Sequence, residues 1–281
     1  MFRKITRTRV ILTTMKSIGK LRGTPRPSSA KKPPVEVWGT ASAIRVETLS
    51  VVAQPEYVAW IDLMGARRWM AGSIRRAAEM ISLIHVAGRI ASKKHEVACY
   101  PVIDGVYIVG SDKKNFQRAA SLAMRTLAET FLAQDHADRR FLVRGGIAYG
   151  RVLHGQAIAK LHENLENDES YSRCLALGIA IGHANEAEGK APPFGFYVDN
   201  TARSTASVDA YPFLSSFFRW WSVANESLAA NNFGIELDKY FDYLCSRRRE
   251  LEYPKDRLQE HRELAKEYFN DITHDVTFRS R

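Results

Sequence analysis

Apolar positions gather in short blocks between residues 57 and 110 and again between 141 and 200, separated by stretches with helical spacing. YVAWIDL (57–63) is a run of β-branched, aromatic and small apolar residues closed by Gly65, which predicts a buried strand. From Arg67 to about Ser92, Met70, Ile74, Ala77, Ala78, Ile81, Ile84 and His85 recur at the period of one long amphipathic helix. VACYPVIDGVYIVG (97–110) reads as two strands about a turn, with Asp104-Gly105 as the hairpin signal. Ser111 or Asp112 then caps a second helix through SDKKNFQRAASLAMRTLAETFLAQ. FLVRGGIAYGRVLHG (141–155) predicts strand, glycine turn, strand; HENLENDESYSR a polar, acidic loop; CLALGIAIGHANEAEGK a third helix; FGFYVDN (194–200) a further strand. An aromatic block, YPFLSSFFRWWSV, reads as core or subunit-interface packing. From about Glu236 two helices follow, broken at Pro254, the second strongly charged.

The order β-α-β-β-α-β is that of a ferredoxin-like split βαβ sheet, here extended, so the expected fold class is α+β. Three segments follow: a basic leader (1–35), a central domain (50–205) and a C-terminal aromatic and helical extension (206–281).

Charge changes the picture only at one end. The net charge of +10 looks like that of a nucleic-acid binder, but ten Lys or Arg and no acid fall within residues 1–32. The other basic residues of the 41 balance the 31 acids. The leader has the composition of a disordered or over-long start, with an organellar transit peptide or an anionic-surface anchor as alternatives. Three widely spaced cysteines without a CxxC pair argue against structural zinc and for a reducing compartment. No apolar run is long enough to span a bilayer. A cytoplasmic protein without a stable nucleic-acid or membrane partner is expected. The eight histidines lack metal-ligand spacing, and DHADRR (135–140) sits where a solvated loop is expected.

Candidate chemistry rests first on Asp62 and Asp104. Each is a lone carboxylate in an apolar strand, which is costly unless paired or bound to a metal. Singly, Asp62 reads equally well as a helix cap and Asp104 as a hairpin-turn residue. Jointly, on adjacent strand ends, they read as a metal site beside a polyphosphate.

From about Glu56 to Asn200 the chain resembles the catalytic domain of class III nucleotidyl cyclases. IDLMG is similar to the family's first metal-binding strand. Asp104 is similar to its second metal aspartate, with Ile103 where the family usually has glycine. RGGIAYGRVLHG follows the pattern R-x-G-I-x-x-G-x-V-x-x-G through Arg144, Gly146, Ile147, Gly150, Val152 and Gly155. GIAIGHANEAE matches a family helix through Gly178, Ala180, Ile181, Ala184 and Glu188.

The resemblance implies two divalent cations, Mn²⁺ or Mg²⁺, on Asp62, Asp104 and the Leu63 carbonyl. It implies amides of the turn around Met64 and Gly65 near the phosphates, Arg144 in catalysis, and a homodimer with composite active sites. Purine cyclases read the base with a Lys and an Asp; here those positions hold Tyr100 and Leu175. In this the chain most resembles the bacterial anti-phage pyrimidine cyclases of the Pycsar type. A pyrimidine nucleoside triphosphate, UTP ahead of CTP, is the implied substrate. The cyclic monophosphate would diffuse to a separate effector. The family's transition-state Asn and Arg fall on Gly182 and Glu186, with Asn185 and His183 adjacent; Arg144, Arg173, Arg67 and Lys190 are the candidate phosphate-side cations. Two other classes stay open: a catalytically inactive cyclase-like scaffold, favoured by those losses, and an RNA-binding sheet, disfavoured by the lack of an RNP pattern. A diguanylate cyclase is disfavoured by the lack of a GG[DE]EF sequence.

Overall fold

Alternation along the first strand decides which residues face which layer. The structure, a computed structural model, describes residues 52–161, 163–166, 168–204, 213–224, 227–247 and 253–270. Strand β1 (Gln54–Leu63) leads into helices α1 (Ala66–Gly72) and α2 (Ile74–His95), strands β2 (Ala98–Val102) and β3 (Gly105–Gly110), helix α3 (Lys113–Leu132) and strand β4 (Val143–His154). Short helices α4 (Gly155–Ala159), α5 (Glu163–Glu166) and α6 (Glu169–Cys174) precede β5 (Ala176–Leu177), α7 (Ile179–Glu188), β6 (Phe196–Val198), α8 (Asn200–Ser204) and β7 (Phe217–Phe218). Helices α9 (Ser227–Arg247) and α10 (Lys255–Asn270) follow.

The sheet runs β2-β3-β1-β4-β6-β7, with β5 attached to β4. Its first four strands are antiparallel in ferredoxin-like order, and β6 joins β4 in parallel, so the α+β sheet is mixed. Tyr57, Ala59, Ile61 and Leu63 of β1 pack into the larger core with α2 and α3. Val58 and Trp60 point the other way, to a smaller cluster with Tyr100, Ala148 and Val152 against Ala180 and Ala184 of α7. Trp220 and Trp221 are buried in the larger core, beside Phe233 and Phe269 of α9 and α10, as expected of packing residues.

Several expectations are corrected. The long first helix is two: Ser73 adopts extended backbone, and its hydroxyl caps α2 by accepting from the Arg76 amide at 3.4 Å. The glycines of RGGIAYG make no turn, because β4 is one continuous strand. A Cβ on Gly146 would overlap the Ala184 carbonyl, and one on Gly145 the Phe196 ring, so these glycines admit close neighbours. The hairpin loop is Ile103-Asp104, since Val102 pairs with Gly105. Ile103, 77% exposed, takes a positive φ of 25° there. The acidic stretch after β4 contains α5 and α6, the latter capped by Asp168. The third helix starts only at Ile179, and α9 already at Ser227. Of the two candidate caps, Asp112 caps α3, accepting from the Asn115 amide at 2.7 Å. The basic leader lies outside the described residues.

Candidate active site

Two groups of polar side chains lie on the α7 face of the sheet, at opposite ends of β1. Asp62 ends the even-numbered series Glu56, Val58, Trp60, Asp62, and pairs in register with Gly105 on one side and Arg144 on the other. The Leu63 amide donates to the Asp104 carbonyl at 3.2 Å, which ties the hairpin tip to the end of β1. The two predicted aspartates are thereby brought together.

The Asp62 Oδ1 is buried without a hydrogen-bond partner. Burial first, then the charges of Glu188 and Asp104, hold its carboxyl up at about 7, against the opposing pull of Arg144 and the Leu63 amide. Glu188 is also raised by burial, although Arg144 pulls it down. Arg144 donates from Nε to Glu188 and from a terminal nitrogen to the Gly189 carbonyl at 3.4 Å. Asp62 and Glu188 thus flank one guanidinium in a poorly solvated corner, with the charge of Asp104 acting on both carboxyls. A divalent cation suits that donor set, since it satisfies the orphaned oxygen and offsets the repulsion. Among the described residues no cluster of three Asp, Glu, His or Cys forms a full ligand set. A cation held by Asp62 and Asp104 would take its other ligands from water and phosphate, the usual pattern for Mg²⁺.

Beside Asp62 opens a cleft of about 660 Å³, lined by Met64, Gly65 and Arg68 after β1 and by Tyr253, Arg257 and His261 from the C-terminal helices. Gly65 caps α1 from the left-handed region (φ 75°), its carbonyl accepting from the Arg68 amide at 3.0 Å. Of the candidate phosphate-side cations, Arg144 lines this cleft. Arg173 pairs with Glu169, and Lys190 lies 5.4 Å from the Tyr197 ring centroid. Arg67 is exposed on α1 and is not among the lining residues.

At the other end, the Tyr100 hydroxyl hydrogen-bonds His154 Nδ1, and His154 Nε2 meets Glu56 Oε1 at 2.7 Å. Tyr100 and Glu56 are each 8% exposed. The bond to Glu56 raises the His154 pKa, and burial pushes the Tyr100 phenol up to about 12, which keeps it protonated. Leu175 flanks this group: its carbonyl accepts from the Gly155 amide at 2.8 Å, and Ala176 next to it pairs with His154. The sequence reading missed Glu56 and His154. Glu56 shares the facing parity of Asp62, a signal that could have found it; a single histidine at a strand end offered none.

Tyr107 lies on the same face, its ring tilted against Trp60 with centroids 4.3 Å apart and its hydroxyl bonded to Asn185 within the field of Asp62. Asn185 is exposed on α7 and reaches the sheet through that bond to Tyr107. His183 instead acts on Asp199, and its own Nδ1 is buried without a partner. A Cβ on Gly182 would meet open space, and Glu186 is exposed.

No family model matches the chain, and no curated protein does. The chain is similar to several solved structures at low scores. The guanylyl cyclase Cya2 shares 14% identity, over 53% of this chain and 77% of that one, with a TM-score of 0.41. The dimeric guanylyl cyclase domain of the RhoGC fusion protein from Blastocladiella emersonii shares 12%, over 53% and 80%, at 0.39. An adenylate/guanylate cyclase/hydrolase from Silicibacter pomeroyi shares 14%, over 52% and 76%, at 0.37. Scores this low carry no functional argument, so function is read from the side chains.

Proposed function

We propose that the protein is a metal-dependent nucleotidyl cyclase that converts a pyrimidine nucleoside triphosphate, UTP ahead of CTP, to its 3′,5′-cyclic monophosphate and pyrophosphate. The observation that carries this is the buried, unpartnered Asp62 Oδ1 beside Asp104, at the mouth of a cleft lined by arginines. Divalent cations bound there would lower the pKa of the ribose 3′-hydroxyl and neutralise the triphosphate. Asp62 and Asp104 hold and orient the charge. Glu188 fixes the guanidinium of Arg144 at the cleft wall. Tyr100 supports the pyrimidine reading: an aromatic ring takes volume from a base pocket, and its hydroxyl is aimed by His154 and Glu56.

Six residues along β1 separate the Glu56 group from Asp62, about 20 Å at 3.3 Å per residue. The Tyr100 backbone is in register with Trp60, two residues from Asp62, but its hydroxyl is engaged with His154 at the Glu56 end; we favour a homodimer in which Asp62 of one subunit meets Tyr100 of another. The product would act as a diffusible signal in anti-phage defence, read by a separate effector.

The test incubates purified protein with Mn²⁺ and each of the four ribonucleoside triphosphates, with products resolved by mass and an Asp62→Ala/Asp104→Ala variant as control. A cyclic pyrimidine monophosphate lost in the variant is expected. Cyclic AMP or GMP would overturn the role given to Tyr100. No product from any nucleotide would favour an inactive nucleotide-binding scaffold, a reading supported by the outward placement of positions 182 and 186.

A further inference from the structure

We propose that the cleft between the end of β1 and the C-terminal helices is a polyphosphate subsite in which Arg68, Arg144 and Arg257 hold the triphosphate of the nucleotide. This rests on the nucleotide reading above and adds a wall to it that comes from residues 253–261.

Three elements distant in sequence each send an arginine to one space. Arg68 is on α1, Arg144 on β4 and Arg257 on the first turn of α10, and all three line the cleft with Asp62. Their common neighbours are Tyr253 and His261, whose side chains hydrogen-bond each other. The Arg68 guanidinium lies 5.6 Å from the centroid of the Tyr253 ring. All three arginines act on the Tyr253 hydroxyl, and Arg144 and Arg257 also act on His261. Burial and those cations hold His261 at about 4, so it stays neutral and adds no charge to the wall at physiological pH.

The counter-charges are few. Arg144 has the buried Glu188. Arg257 meets Glu260 at 3.3 Å in a largely exposed pair, which contributes little. Arg68 has no carboxylate partner among the described residues. The wall thus presents more cationic charge than it neutralises, in the cleft that Asp62 also lines. A chain of phosphates fits between them, its oxygens bridging cations on the aspartates to the planar forks of the arginines. A volume of about 660 Å³ leaves room for a triphosphate and its ions.

Isothermal titration of the full chain with sodium tripolyphosphate, free of divalent cations, tests this apart from turnover. Arg68→Gln and Arg257→Gln should each weaken binding at least tenfold with unchanged circular dichroism. Arg75→Gln, an exposed α2 arginine outside the cleft, should leave binding unaltered. UTP should compete with tripolyphosphate. Equal affinity in all four proteins, or no binding by the wild type, would overturn the subsite. Tripolyphosphate binding of the expected pattern in a protein that converts no nucleotide keeps the subsite and sinks the cyclase reading. Turnover whose KM is unmoved in both cleft variants keeps the cyclase and sinks the subsite.

Discussion

At Asp62, burial and two neighbouring carboxylates favour the protonated acid, while Arg144 and the Leu63 amide favour the anion. A bound divalent cation would tip that contest. Mn²⁺ at a hundredfold excess over its Kd should stabilise the wild type by about 2.7 kcal/mol. The thermal midpoint should rise accordingly, and Asp62→Asn should lose most of the rise; an equal rise in both proteins would remove Asp62 from the site. His261 gives a second test. Its folded pKa, about 4, lies below the ordinary 6.5, so the unfolded chain takes up a proton first as pH falls. Its contribution is complete above pH 6.5 and is lost between there and pH 4, on the order of 3 kcal/mol at 1.36 kcal/mol per unit. His261→Gln should flatten the acid limb of unfolding free energy in urea titrations between those pH values. These residues differ in how far the sequence announced them. Asp62 stands out because its neighbours are apolar. Arg257 and His261 sit on a helix whose exposed face is charged throughout, and only the docking of α10 beside β1 distinguishes them.

At the level of elements, α7 is held against β4 by the absence of side chains. Gly146 lets the α7 backbone approach β4 where Glu188 must reach Arg144 beside Asp62. Gly146→Ala should cost about 1–3 kcal/mol or more by overpacking, seen as a lower urea midpoint, and should impair activity beyond that loss. Gly182→Ala, on the open side of the same helix, should stabilise by about 0.5–1 kcal/mol, because alanine is the better helix former and its methyl meets nothing. A destabilised Gly182→Ala would show that side to be occupied. Short apolar runs, the Asp104-Gly105 turn signal and a helix cap made β1, β2, β3, α3 and β6 legible in the sequence. Glycine misled at β4, where two adjacent glycines read as a turn although their purpose is to admit a helix and an aromatic ring. Ser73 misled in the other direction, since helical periodicity continues across the break it caps.

For the whole molecule, the sheet face carries a polar group at each end of β1, which the proposed homodimer would join across subunits. Asp62→Asn and Tyr100→Phe should each lower activity at least tenfold alone, and mixed as co-expressed chains they should recover a measurable share. Absence of recovery would favour sites contained within one subunit. The α+β class and ferredoxin-like strand order were readable from the succession of elements. The cleft wall was not, because it depends on α10 being brought to the same cleft as the end of a strand almost two hundred residues earlier. The alternation of β1 has a further consequence for how such a chain can change. Glu56 and Asp62 share a face because an even number of residues separates them. Deleting one residue between them would turn Asp62 into the layer packed by α2 and α3. Deleting two would keep the face but draw the ends together by about 7 Å. Length changes inside β1 are thus confined to paired steps.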